Sequence, residues 1–462
     1  MKKSFLFSQV AKYFLFLISI LFMTSCEKDW LEKKPDKSMV VPKSVADYQA
    51  ILNYQTRLNY VYGLYPIYAT DEFYTTRNGW NTRSDRERNT YIWASELNSD
   101  ISEWVNMYQT VFYANAALNG LDQLSASEKN GDDWKNARGC GLFFRALSFY
   151  WLSQLFSAPY DAKTSETDLG IVLRLDPNPE KALGRASVKD TYDRILDDLT
   201  NANQLLYNVP AYPTTPSKWS SNALLSRIHL TMGNYEQALS FATASLALKD
   251  NLMNYNDVVP VSNFQTFQPF NEEVLLDAYT GSSGTFLPYA TGASSVDTIL
   301  YGSYSQNDLR KSLLYYPQGN RVIYRGEYSG RRFYPFTGLA TNEVYLIKAE
   351  CEARLGQTAA AMNTLNTLLK TRWRTGTFVP FLASSQREAL NIILAERRKE
   401  LVFTGLRWVD LRRLNKDPDY AVTLIRKFED GEIFTLPPND PRYVFPIPQA
   451  EIELTGIEQN VR

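Results

Sequence analysis

The residues able to do covalent or metal chemistry are few. The chain holds one histidine and three cysteines; with Cys26 read below as the processed end of a lipoprotein signal, the two remaining cysteines and one histidine leave almost nothing for a zinc site. His229 lies in Leu225-Ser-Arg-Ile-His-Leu230 on an apolar helical pattern, where it reads as a packed side chain rather than a general base. No nucleophile elbow, H-E-x-x-H or phosphate-binding G-x-x-x-x-G-K-[ST] occurs. Glu350 and Glu352 stand two apart, so on a helix they diverge, and Asp197-Asp198 beside a core stripe reads as a solvated face. A glycosidase needs two facing carboxylates. Only a pair assembled from distant positions leaves room for a hydrolase.

Binding asks for less. Sugar rings offer apolar C–H faces to Trp and Tyr, and their hydroxyls need polar partners beside those rings. The stretch Ala69 to Arg83 supplies both, through Phe73, Tyr74, Arg77, Asn78, Trp80, Asn81 and Arg83. Asn78-Gly79 is a turn signal, which predicts an irregular loop with exposed aromatics. A second set, Phe286, Tyr289, Tyr301 and Tyr304, lies in a later loop-rich stretch. Each ring could instead plug the back of its own loop. Tyr occurs 30 times and aromatics reach 14%, more than a core needs, which favours a binding protein.

The elements that must carry these loops are helical. Ser44 caps a short helix over 45–53. Residues 54–98 show no sustained period. Helical patterning then runs over 99–250, with Ile101, Trp104, Tyr108, Val111 and Phe112 on one face and Phe143, Phe144, Leu147, Tyr150 and Trp151 on another. Gly139 and Gly141 weaken that second helix by about 1 kcal/mol each relative to alanine. Gly233-Asn-Tyr235-Glu-Gln-Ala238 is the G-x-Y-x-x-A turn of a tetratricopeptide helix pair, and Gly356-Gln-Thr-Ala-Ala-Ala361 turns a second pair over 342–371. Between them 251–340 is rich in Pro, Gly, Ser and Tyr, with strand-like runs such as Arg321–Tyr324. Ile433–Leu436 reads as a further short strand.

Charge and the N-terminus bound the setting. Lys and Arg number 49 against 50 Asp and Glu, a balance that argues against a nucleic-acid binder. Lys2, Lys3 and Lys12 precede an apolar run over 13–23, and Thr24-Ser25-Cys26 ends it. That run is short of the roughly 20 residues a membrane span needs, so 1–25 reads as a cleaved lipoprotein signal rather than a span or an ordinary signal peptide. Cys26 is then the lipidated residue. Residues 26–43 are a polar tether, and the folded domain is expected over 44–462. Cys140 and Cys351 read as buried free thiols.

Near the C-terminus, Glu396-Arg-Arg-Lys-Glu-Leu-Val-Phe-Thr-Gly-Leu-Arg-Trp-Val-Asp-Leu-Arg-Arg-Leu414 predicts a helix stopped at Gly405 and a second short helix. Glu396, Arg397 and Lys399 fall off its apolar face, free for water or ion pairs, and Asp410 can pair with Arg413 across one turn. This stretch resembles the C-terminal signature of the SusD/RagB family of nutrient-binding outer-membrane lipoproteins. Tyr443-Val-Phe-Pro-Ile-Pro448, Glu451-Ile452, Gln459-Asn460 and the Arg145 to Phe156 helix resemble further motifs of that family, in its order.

The resemblance implies a mostly α fold of about four tetratricopeptide-like helix pairs, mainly over 99–250 and 341–415. It also implies an irregular, loop-rich half with few short strands, about 54–98 and 251–340, that forms the ligand site. It implies no enzyme activity and no cofactor, a surface-exposed place on the outer membrane, a SusC-like TonB-dependent transporter barrel as partner, and a glycan as ligand, peptides being bound by some relatives. A secreted glycoside hydrolase and a repeat-based protein adaptor are the rival readings.

Overall fold

The computed structural model describes residues 42–60, 63–97, 101–178, 183–281 and 286–462. The signal segment, Cys26 and most of the tether therefore lie outside the described residues. Ser44–Arg462 forms one compact unit.

The helices begin where the caps are. Helix α1 (Val45–Leu52) opens on a reciprocal capping box in which Ser44 and Asp47 satisfy each other's backbone N–H. Long helices follow: α2 (Ile101–Gln123), α3 (Asp132–Phe156), α4 (Val188–Leu205), α5 (Lys218–Met232) and α6 (Tyr235–Leu248). After the insertion come α7 (Thr341–Arg354), α8 (Thr358–Lys370), α9 (Gln386–Glu400) and α10 (Leu406–Leu414). Successive members from α2 to α8 pack on one another, α6 meeting α7 directly although 92 residues separate Leu248 from Thr341 in number only by the insertion's length, and α9 lies on α7 and α8.

The centre of this ladder is α3, buried almost along its whole length from Ala137 to Phe156. Its glycines, costly in an isolated helix, are explained by proximity. A Cβ at Gly139 would stand 3.0 Å from the Leu206 side chain, and one at Gly141 2.9 Å from Leu118. The two positions let α2 and the end of α4 close on α3, and dispersion between the helices offsets the lost propensity.

The irregular half is held by four two-stranded antiparallel sheets among the described residues. Strand β1 (Phe73–Tyr74) pairs with β3 (Ser295–Val296), and β2 (Val274–Leu276) with β6 (Leu339–Ala340). Hairpins β4 (Tyr315–Gln318) with β5 (Arg321–Tyr324) and β7 (Leu424–Lys427) with β8 (Ile433–Leu436) complete them. The first pairing ties the early irregular segment to the later one.

Several expectations change in the structure. The described residues between 54 and 97 are not an open loop: they form short helical turns over Gln55–Leu58, Tyr65–Tyr68, Arg77–Asn81 and Asp85–Tyr91. Asn78-Gly79 lies inside the third of these, because the Thr76 hydroxyl caps it by accepting from the Gly79 N–H at 3.1 Å. Asp198 is not solvated but fully buried, bound bidentately by Arg145 at 2.7 Å on each oxygen.

The C-terminal signature turns its charges inward too. Glu396, Arg397 and Lys399 are buried. Arg397 pairs with Asp410 at 2.8 Å, and Arg413 takes both Asp410 at 2.9 Å and Glu350 at 2.6 Å. Deeper still, Arg310 holds Asp308, Glu396 and Glu400, while Arg372 holds Glu273 and Glu400. Such a lattice is tolerable in a core because each of these charges is paired, and Arg310, Arg372, Arg413 and Glu400 each have two or more partners.

Candidate functional site

The two predicted aromatic groups occupy different ground. In the first, Trp80 is half-buried: its indole N–H donates to the Arg88 carbonyl at 3.1 Å, and its ring packs 5.6 Å from Phe428. Arg77 lies over both rings and pairs with Asp430 and Glu432 of the β7–β8 turn. Trp80 is thus a wedge between short helices and a hairpin, and not an exposed platform. Tyr74, Asn78 and Asn81 remain open to solvent, with Arg83 beside them donating to Thr82.

In the second group Phe286, Tyr289 and Tyr304 are core residues, so none of them can stack on a ligand. Phe286 packs on Tyr68, Phe73 and Tyr91. The Tyr304 hydroxyl bonds that of Tyr315 and donates to the Lys399 carbonyl. Tyr301 is half-buried, edge-on to Tyr315, with the Lys311 ammonium 5.0 Å from its ring centroid. These rings fill the core together with aliphatic neighbours of the same stretch such as Leu287, Val296, Leu300 and Ile323.

What the fold brings to the surface is a different band of rings, where β2, β6 and the first irregular segment meet α2. Tyr60 stands edge-on to Tyr279 at 6.3 Å, and Tyr279 edge-on to Tyr334 at 5.8 Å. The guanidinium of Arg331 lies 4.6 Å from the Tyr279 ring and 5.3 Å from that of Phe270. The same turn of chain that carries Arg331 and Tyr334 adds Phe333, and Arg332 lies over both Phe333 and Phe264. Phe264, Phe270 and Tyr334 are 37%, 45% and 36% exposed.

Backbone geometry mounts these rings. Tyr279 follows β2 and bridges to Phe336, while its N–H donates to the Asn59 carbonyl at 3.0 Å. The Asn59 amide in turn donates to the Asp277 and Thr214 carbonyls. Phe270 and Phe333 both adopt left-handed backbone, at φ 59° and 72°, a conformation that costs a non-glycine residue roughly 1–3 kcal/mol. Tyr289, predicted as a contact, lies beneath the band and props Phe333, with ring centroids 5.1 Å apart.

Beside Tyr60 a cavity of about 160 Å³ opens between Tyr65, Glu103, Asn106 and Gly281. Glu103 accepts from the Tyr65 N–H at 3.1 Å and faces Arg86, whose guanidinium covers the Tyr65 ring at 3.5 Å. Burial pushes the Glu103 pKa up, against the opposing pull of Arg86. Tyr60 thus joins the band to a cavity that offers a carboxyl and the Asn106 amide, and rings beside such polar groups are the composition that binds a polyhydroxylated ring.

Sequence reasoning passed over Tyr60, Tyr279, Tyr334, Phe270, Arg331 and Arg332. One signal was present: Gly330-Arg-Arg-Phe-Tyr334 packs two cations and two rings behind a glycine turn. The other predicted packing roles agree with the structure. His229 stacks on Phe241, and Cys140 and Cys351 are buried and free.

Comparison with known proteins gives a consistent answer. Residues 29–230 match the model of a SusD-like family described as starch-binding and associating with the outer membrane, and residues 331–461 match the SusD family model. SusD-like protein P2 of Formosa agariphila is 24% identical over 394 residues, covering 71% of this chain and 74% of that protein. A crystal structure of a SusD superfamily protein from Bacteroides thetaiotaomicron superposes with a TM-score of 0.73 at 22% identity, covering 91% of this chain and all of the other. A laminarin-binding SusD-like protein superposes at 0.66 with 18% identity, covering 91% and 99%.

Proposed function

The chain belongs to the SusD/RagB family, and on that premise we propose that it is a non-catalytic glycan-capture protein of the outer-membrane surface. It holds oligosaccharides on the band from Tyr60 to Phe270 and hands them to a SusC-like TonB-dependent transporter barrel. Lipid on Cys26 keeps it at the membrane. Each buried methylene contributes roughly 0.8 kcal/mol, so two or three acyl chains make that attachment effectively permanent.

The observation that carries this reading is the band itself: rings partly exposed to solvent, set on a strained and hydrogen-bonded backbone, with Tyr60 opening on a cavity that holds the Glu103 carboxyl and the Asn106 amide. Capture and release need neither a nucleophile nor a metal.

Calorimetric titration of the detergent-solubilised full chain against neutral and acidic glycans tests it. Tyr334→Ala, at an exposed ring, is expected to weaken binding with little change in melting temperature; joint Tyr279→Ala and Tyr334→Ala substitution is expected to weaken it at least about tenfold, some 1.4 kcal/mol, with a lower melting temperature because Tyr279 is half-buried. New reducing ends from those glycans would replace this reading with a hydrolase. Association with the barrel but with no glycan would replace it with an adaptor. Cys26→Ala is expected to release the protein from the membrane fraction.

A further inference from the structure

Arg332 differs from its neighbour in having no acidic partner. Arg331 spends its guanidinium on Asp277, with contacts of 3.0 and 2.8 Å. Arg332 makes no hydrogen bond or ion pair among the described residues; its guanidinium lies 4.3 Å from the Phe333 ring centroid and 5.0 Å from that of Phe264. Glu327, the nearest carboxyl in sequence, is buried, and burial favours its uncharged form. The band therefore carries a positive charge that the protein itself leaves uncancelled.

The placement is also restrictive. A guanidinium over aromatic faces keeps the planar fork of N–H donors on its edges available, and that fork matches a pair of oxygens on one anionic group. A long side chain normally surrenders rotamer entropy when it engages a ligand. Two rings, one of them propped from below by Tyr289, have already restricted this one. Neutral sugar hydroxyls need no such group, since uncharged partners such as the Asn106 amide beside Tyr60 can serve them.

We infer that the glycan taken by this band carries an anionic substituent, a uronate carboxylate or a sulfate ester, and that Arg332 is the residue that reads it. The inference rests on the glycan-capture reading above and adds the ligand's chemical class. It also makes association salt-dependent, because the contact sits at the surface where ions screen it.

The test is a set of matched probes: oligogalacturonates with their carboxyl-reduced forms, sulfated galactan oligosaccharides with their desulfated forms, and neutral β-glucan and α-glucan oligosaccharides. Each is titrated into the full chain in detergent and into Arg332→Gln and Arg332→Lys variants. The acidic member of at least one pair is expected to bind about tenfold tighter than its neutral form. Arg332→Gln should erase that preference, Arg332→Lys should keep part of it, and both should melt with the parent protein. Loss on carboxyl reduction identifies a uronate reader, and loss on desulfation a sulfate reader. Equal binding within every pair, or a preference that survives Arg332→Gln, overturns the inference and leaves the glycan-capture reading standing. Binding to none of the probes overturns both.

Discussion

Arg331 and Asp277 form a two-pronged ion pair beneath the aromatic band, Nη1 donating to Oδ1 at 3.0 Å and Nη2 to Oδ2 at 2.8 Å. Asp277 is buried, so its carboxylate is fixed, and the fork geometry fixes the guanidinium against Tyr279 and Phe270 in turn. Asp277→Asn retains one acceptor and loses the charge. The expected outcome is a loss of about 1–3 kcal/mol in stability, read by denaturant titration, together with weaker glycan binding as Arg331 loosens.

Gly330 is a second support. Its φ is 64°, and a Cβ there would stand 2.1 Å from the Pro269 nitrogen. The turn carrying Arg331 to Tyr334 is thus pressed directly on the backbone that carries Phe270. Gly330→Ala must open this contact as well as strain the backbone, at a cost above the roughly 1 kcal/mol of the conformational effect alone. Binding is expected to fall further than in Asp277→Asn, because both aromatic loops move.

These two relationships explain how far the sequence could be read. The helix ladder was legible because its caps and apolar stripes are local: Ser44 with Asp47, and the buried face of α3, are set by residues within a few positions of one another. Strand β5 and the Asp410–Arg413 pair were legible for the same reason. The band was not. Tyr60 meets Tyr279 across 219 positions, and no periodicity encodes that meeting. In a loop-rich segment an aromatic residue is equally suited to the core and to the surface; Phe286 goes in against Phe73 and Tyr91 beside the β1–β3 pairing, while Tyr334 stays out beside the Tyr279–Phe336 bridge, and both pairings are long-range.

A pH effect follows from Glu72. Its carboxyl is buried, accepts from the Phe403 N–H and the Thr70 hydroxyl at 3.0 Å each, and is pushed up from 4.5 to about 7 by burial. A raised folded-state pKa means that the folded protein binds the proton more tightly than the unfolded chain does. Its stabilising effect is full below pH 4.5 and is lost as the pH rises through about 7. The shift corresponds to about 3 kcal/mol. Glu72→Gln keeps an acceptor for the Phe403 N–H and removes the titration, so its stability at pH 8 is expected to exceed that of the parent, with the two converging near pH 4. Denaturant midpoints across that range measure it.

Trp80 separates the two possible locations of the binding surface. Its indole bonds the Arg88 carbonyl, packs on Phe428, and lies under the guanidinium groups of Arg77 and Arg88. Trp80→Ala removes a half-buried ring joining two helical turns to the β7–β8 hairpin. Full burial of such a ring is worth about 3–5 kcal/mol, so roughly 2 kcal/mol of stability should be lost here. Glycan affinity should stay within about twofold of the parent, a change of less than 0.5 kcal/mol, because no member of the band touches this wedge in the ring contacts that hold it. The opposite result, binding abolished with the denaturant midpoint unmoved, would relocate the site to Tyr74, Asn78 and Asn81 on the turn that Trp80 anchors.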